Sequence, residues 1–159
     1  DTKGNRFINA RSETMAEKPS FRDAFKTRRC LIPADGFYEW DARHNPKAPY
    51  YIGLQSNAPF AFAGLWDVWK NPETGEVTES FAIITTAATE AMQGCHDRMP
   101  VMFTSEKAFQ FWLSPATPLD VLHKMTQPRQ EIALALSPAT DLPPSRTESQ
   151  DDKRQGSLF

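Results

Sequence analysis

Between Arg28 and Trp40 the chain reads RRCLIPADGFYEW, and this stretch limits the possible folds more than any other. Two basic residues lead into the apolar run Cys30-Leu31-Ile32, Pro33 interrupts it, and Asp35-Gly36 is a turn signal. Phe37-Tyr38-Glu39-Trp40 then resumes as an aromatic-rich strand. Period-2 alternation predicts Phe37 and Glu39 on one face and Tyr38 and Trp40 on the other. A carboxylate set among aromatics is costly to bury when ionised, and a buried carboxyl group is suited to exchanging protons with a ligand. The simpler reading of the strand alone is a glutamate that reaches solvent.

A chain of 159 residues with 40% hydrophobic and 24% charged residues reads as one domain with a core of its own. No apolar run approaches the roughly 20 residues that a membrane-spanning helix needs. Two distant cysteines give neither a disulfide framework nor zinc-ligand spacing, so a reducing compartment is expected. The formal net charge of −2 hides an uneven distribution. Residues 1–30 hold eight Lys or Arg against four acids, a local balance of +4. That excess fits a footprint for an anionic partner or, equally, a solvated helix face.

Along the chain, Arg6–Asn9 reads as a short strand entering Asn9-Ala10-Arg11-Ser12-Glu13-Thr14. A helix follows, with Ser20 as N-cap, Asp23 three residues on, and Phe21, Ala24 and Phe25 as the buried stripe. Asp41–Lys47 reads as a polar loop. Strands are predicted over Pro49–Leu54, Phe60–Trp69, Val77–Thr86 and Glu131–Leu136, with Asn71–Gly75 as a hairpin connection. Ala87–Met92 reads as a short helical turn. Ser105 caps a helix whose stripe is Ala108, Phe109, Trp112 and Leu113, and Pro118 starts another that runs to Met125. After Ser137 the composition is that of a mobile tail. Many short strands with few helices predict an α+β fold, a curved or barrel-like antiparallel sheet with short helices packed outside. No Gly-rich phosphate loop or regular βαβ alternation supports a nucleotide-binding fold.

Chemistry concentrates in Gly94-Cys95-His96-Asp97-Arg98-Met99-Pro100, which reads as a loop. His96 is the better candidate for proton transfer; His44 and His123 lie in polar or helix-end contexts. Cys30, in an apolar run, reads as core packing. Cys95 reads equally as filler or as a reactive thiol. Arg98 can bind phosphate or pair with an acid such as Asp97.

The stretches NARSET, RRCLIPADGFYEW and GCHDRMP, in this order, resemble the SRAP family, the SOS response-associated peptidase domain. The resemblance runs from about Phe7 to the last strand. It implies single-stranded DNA binding and a covalent cross-link to abasic sites, made by an amino-terminal cysteine whose amine forms a Schiff base and whose thiol closes a thiazolidine. It also implies an associated autopeptidase step. Carried over by motif, Asn9, Glu39 and His96 are the catalytic residues, and Arg11, Thr85 and Arg98 contact DNA. An imidazole suits the opening of a sugar hemiacetal, and arginine forks suit phosphates. The expected partner is single-stranded DNA containing abasic sites, bound by a monomer with no metal or cofactor, in bacterial cytoplasm or a eukaryotic nucleus. Residues 1–137 are then expected to be an SRAP-like domain lacking its N-terminal segment and the cysteine, with 138–159 as the tail. The alternatives are a non-catalytic single-strand DNA-binding module and a thiol hydrolase using Cys95.

Overall fold

The computed structural model describes residues 7–41 and 48–139. In chain order the elements are β1 (Asn9–Arg11), α1 (Pro19–Thr27), β2 (Arg29–Ala34), β3 (Gly36–Asp41), β4 (Ala48–Leu54), β5 (Phe60–Lys70), β6 (Val77–Ala87), β7 (Arg98–Pro100), β8 (Met102–Phe103), α2 (Glu106–Leu113), α3 (Leu119–Met125) and β9 (Leu134–Pro138). The class is mixed α+β with a curled sheet and short helices, as expected. The chain forms two compact units.

The first unit holds residues 1–33, 60–86 and 100–127. Its sheet runs β1-β6-β5-β2, with β8 pairing β5. β5 and β6 are antiparallel, but β1 lies parallel to β6, with Ala10 beside Ile84 and Arg11 beside Thr85. The strand is therefore the Asn9–Arg11 stretch itself rather than the residues before it. One sheet face supplies Ala10, Ala63, Leu65, Ala82 and Ile84 to a core shared with Phe25, Trp112 and Leu122 of the helices. The Phe25 ring lies 6.2 Å from Trp112 and 4.9 Å from His123, and Trp112 lies 5.4 Å from Phe103. Such pairs add about 0.5–1.5 kcal/mol each beyond the area they bury.

Local rules explain most element ends and some departures. Phe21, Ala24 and Phe25 are the buried stripe of α1. Ser20 is not its cap, because Pro19 already occupies the first turn with its φ preset, and Lys18 is the cap residue without a side-chain bond. Ser105 does cap α2, its hydroxyl accepting from the Ala108 amide at 3.3 Å. Trp112 is fully buried, but Leu113 is exposed because α2 ends at that residue and the chain turns away. Pro33 lies inside β2, tolerated because β2 is the last strand in its sheet order. The turns expected near Ala87–Met92 continue through Cys95, and Arg98–Pro100 is a strand rather than loop. Asp41, expected to start a polar loop, is the last residue of β3, and residues 42–47, with His44, lie outside the described residues.

The second unit holds residues 34–59, 87–99 and 128–159, with the antiparallel sheet β3-β4-β9. The last strand starts three residues later and ends two residues later than its apolar pattern suggests. Gly36 is required by packing: a Cβ there would lie 2.2 Å from the Tyr51 ring. The Tyr51 hydroxyl donates to Asp35 at 3.3 Å, and burial together with the Asp35 charge pushes its pKa up. No helix among the described residues is long and apolar enough to cross a membrane.

Arg29 holds the first unit's helix ends. Its guanidinium donates to the carbonyls of Phe25 (2.9 Å) and Lys26 (2.5 Å) at the end of α1, and of Trp112 (2.7 Å) and Ser114 (2.8 Å) at the end of α2. It also sits 5.8 Å from the centre of the Trp112 ring. Arg28 is engaged too, by the Trp66 carbonyl and Asp67, both at 3.3 Å. These two arginines of the basic amino-terminal stretch serve the fold. Arg29→Ala is expected to cost about 1–3 kcal/mol in urea denaturation, since it strands buried carbonyls. Arg29→Lys should recover only part of this, because an ammonium lacks the fork. Full recovery by lysine would contradict the capping role.

Candidate functional site

The residue pattern Asn-Ala-Arg sets the first part of the site. Ala10 is fully buried and faces the core beside Ile84, so Asn9 and Arg11 take the opposite face of β1. The parallel register puts Ile83 next to Asn9 and Thr85 next to Arg11 on that face. The strand is then locked: the Ser12 amide donates to the Thr85 carbonyl at 2.9 Å, and the Thr14 and Met15 amides turn back to the Arg11 carbonyl. Met15, fully buried, anchors the turn. Asn9 is half-buried, Arg11 exposed and Thr85 buried. Asn9 and Arg11 thus share one edge of one sheet with Thr85, which is distant in sequence.

In the second unit, β3 alternates as its sequence requires. Phe37, Glu39 and Asp41 point inward and Tyr38 and Trp40 outward. Glu39 is 1% exposed, so the reading in which it reaches solvent is excluded. Its Oε1 accepts from the Trp40 amide at 2.9 Å, and Tyr50 lies opposite it on β4. Asp41, fully buried, is a second inward carboxylate on the same strand. In the sequence Asp41 reads as the start of a loop, although the same alternation that turns Glu39 inward also turns Asp41 inward.

The segment before β7 is wound by successive turns. The Thr89 carbonyl accepts from the Met92 and Gln93 amides, and the Met92 carbonyl from those of Cys95 and His96. Met92, Cys95 and Met99 are buried and fix the segment from inside. His96 is left with a side chain 23% exposed. Its Nδ1 accepts from the Arg98 amide at 3.0 Å, and the Asp97 carboxylate also lies 3.0 Å from that nitrogen. One nitrogen cannot both accept from an amide and donate to a carboxylate. The amide is fixed by the backbone, whereas the Asp97 side chain is 89% exposed and free to turn, so the amide contact decides the tautomer. The proton then sits on Nε2. Arg98 is half-buried.

The two thiols are poor nucleophiles. Cys95 is 5% exposed, and burial pushes the Cys30 thiol pKa up. Cys30 and Ile32 lie over Gly64, whose missing side chain makes room for them. Among the described residues no group of three His, Cys, Asp or Glu side chains is placed to hold a metal ion.

The family model described as SOS response associated peptidase (SRAP) matches residues 1–142. The chain is 48% identical over 128 residues to the abasic site processing protein YoqW of Bacillus subtilis (strain 168), covering 79% of this chain and 56% of that protein. It is 36% identical over 123 residues to the abasic site processing protein HMCES of Xenopus tropicalis, covering 66% of this chain and 37% of that one. A crystal structure of a protein from Bacteroides thetaiotaomicron superposes with a TM-score of 0.75 at 32% identity, covering 80% of this chain and 56% of the other. The chain therefore spans about half the length of the Bacillus relative.

Nitrogen-15 NMR of the imidazole is expected to show neutral His96 as the Nε2–H tautomer. A protonated Nδ1 in the neutral ring would mean that Asp97, not the Arg98 amide, orients the histidine.

Proposed function

Because the chain belongs to the SOS response associated peptidase (SRAP) family, we propose that it carries the DNA-binding and proton-transfer residues of a site that processes abasic sites in single-stranded DNA. The observation that carries this reading is Glu39. Glu39 is an acidic side chain only 1% exposed, and it stands in the motif that the family resemblance singles out. The names of the Bacillus and Xenopus relatives, abasic site processing proteins, support the substrate class.

The chemistry divides among the residues. His96 in its Nε2–H form donates towards the ring oxygen as the sugar hemiacetal opens to its aldehyde. The amine of an amino-terminal cysteine adds to that aldehyde, and Glu39 gives a proton to the departing water, leaving a Schiff base. The thiol of the same cysteine adds to the imine carbon and closes the thiazolidine, so one water is released in all. Asn9 offers a neutral donor and acceptor to hold the amine. Neither Cys30 nor Cys95 can be the nucleophile, since amine and thiol must belong to one terminal residue. An autopeptidase step that exposes such a cysteine belongs to the same proposal. Arg11, Thr85 and Arg98 bind the DNA backbone, the arginines through phosphates.

Two measurements on the gene product with a free amino-terminal cysteine test this. In single-turnover cross-linking to abasic single-stranded DNA, Glu39→Gln should slow the reaction by ~10²-fold or more while affinity barely changes. His96→Ala should be rescued in part by a sugar already trapped as the open aldehyde. A parental rate in Glu39→Gln would sink the reading. Separately, Arg11→Ala should lower affinity and reduce the slope of log affinity against log salt by roughly 0.7. An unchanged slope would assign Arg11 no phosphate contact.

A further inference from the structure

The outward face of the β3-β4-β9 sheet carries a large row of side chains beside a small one. Register sets Tyr38, Tyr51 and Ser137 across the three strands, and next to them Gly36, Gly53 and Ala135. Alternation puts both rows on the same face, so a trough runs beside the tyrosines. Tyr51 leans over Gly36, where a Cβ would lie 2.2 Å from its ring, and closes that end. Tyr38 packs against Tyr51 with ring centres 5.2 Å apart and fixes the lean. Over Gly53 and Ala135 the trough stays open as a hollow of about 250 Å³, bounded by Tyr51, Asp35, Ser137 and Asn57. Asn57 reaches it from the turn after β4, with a φ of 55° that asparagine tolerates and its amide donating to the Leu54 carbonyl at 3.0 Å.

The lining selects the sign of an occupant. Asp35 is its only charged residue, and among the described residues no cation pairs with it. Arg129 and Glu131, on the approach to β9, pair with each other at 2.7 Å. The Asp35 carboxylate accepts from the Tyr51 hydroxyl at 3.3 Å and keeps acceptor capacity to spare. Burial and the Asp35 charge push the Tyr51 pKa up, so the phenol stays neutral and the hollow carries a net negative charge. A phosphate or carboxylate is repelled there. A primary ammonium brings a positive charge and three donors to a carboxylate, an aromatic ring and the neutral oxygens of Ser137 and Asn57. The volume lies below the roughly 300–1,000 Å³ of drug-sized pockets, which limits the ligand to a short chain.

We propose that this hollow is a binding site for the ammonium group of a small aliphatic amine. Asp35 takes the charge, the Tyr51 ring packs against the adjoining carbons, and Ser137 and Asn57 accept the remaining hydrogens. This holds whether or not the chain processes DNA.

The probe is n-butylammonium chloride, titrated into the nitrogen-15-labelled chain and followed by amide NMR, with sodium chloride and sodium butyrate at equal ionic strength as controls. The Gly36, Gly53, Asn57 and Ser137 amides should shift saturably with the amine and stay in place with both controls. Asp35→Asn, at an exposed position, should weaken binding about fivefold or more, since it removes the charge from the hydrogen bond. Ser137→Val, also exposed, should weaken it less. Shifts that never saturate, shifts matched by sodium chloride, or an Asp35→Asn variant that binds as the parent does would each overturn the proposal. A short peptide with one central lysine separates a free amine from a side chain, and binding of the peptide alone would overturn the assignment to a small molecule.

Discussion

One guanidinium closes the ends of two helices. The carbonyls at the end of a helix have no partner within it, and inside a core they must find one. Arg29 supplies donors to the last turn of α1 and to the end of α2 together, and its plane lies near the Trp112 indole. The Trp112 indole N–H in turn donates to the Cys30 carbonyl at 2.9 Å, one residue into β2. Helix ends, central aromatic and first residues of β2 are thereby joined in one network. The edge that presents Asn9 and Arg11 rests on the same core, through Ala10 and Met15.

The second unit solves a different problem with the same economy. Its sheet has one face carrying Phe37, Glu39 and Asp41 and another carrying Tyr38, Trp40 and Tyr51. Strand geometry makes these assignments inseparable, since turning Glu39 outward would also turn Trp40 inward. A buried acidic side chain is thus turned inward by the alternation of its neighbours. That is a rigid way to place an acid, and it leaves two aromatic rings on the open face.

Where chemistry is local, the sequence is a good guide. The hairpin of β5 and β6, the Ser105 cap and the stripe of α1 are written in adjacent residues, and so is the face that Glu39 shares with Phe37. What the sequence leaves unread depends on partners distant in the chain. The Asn-Ala-Arg stretch becomes a strand only because β6 offers a parallel edge, and nothing in the stretch announces this. Arg28 and Arg29 look like a footprint for anions, yet their partners are carbonyls and a carboxylate up to 85 residues away. The tautomer of His96 depends on an amide two residues on, a geometry that composition does not encode. Pro33 breaks an apolar run on paper, while in an edge strand its missing donor costs little.

The treatment of the two cysteines bears on fidelity. On the proposed function the substrate is an electrophilic sugar, and a free thiolate elsewhere would capture the same carbon. Here the Cys95 sulfur is buried in the turns before β7, and burial raises the pKa of the Cys30 thiol, which lies over Gly64. Neither competes well for an aldehyde at neutral pH. Restraint of this kind is as much a part of single-site chemistry as the reactive group, because it decides how many different adducts one lesion can produce.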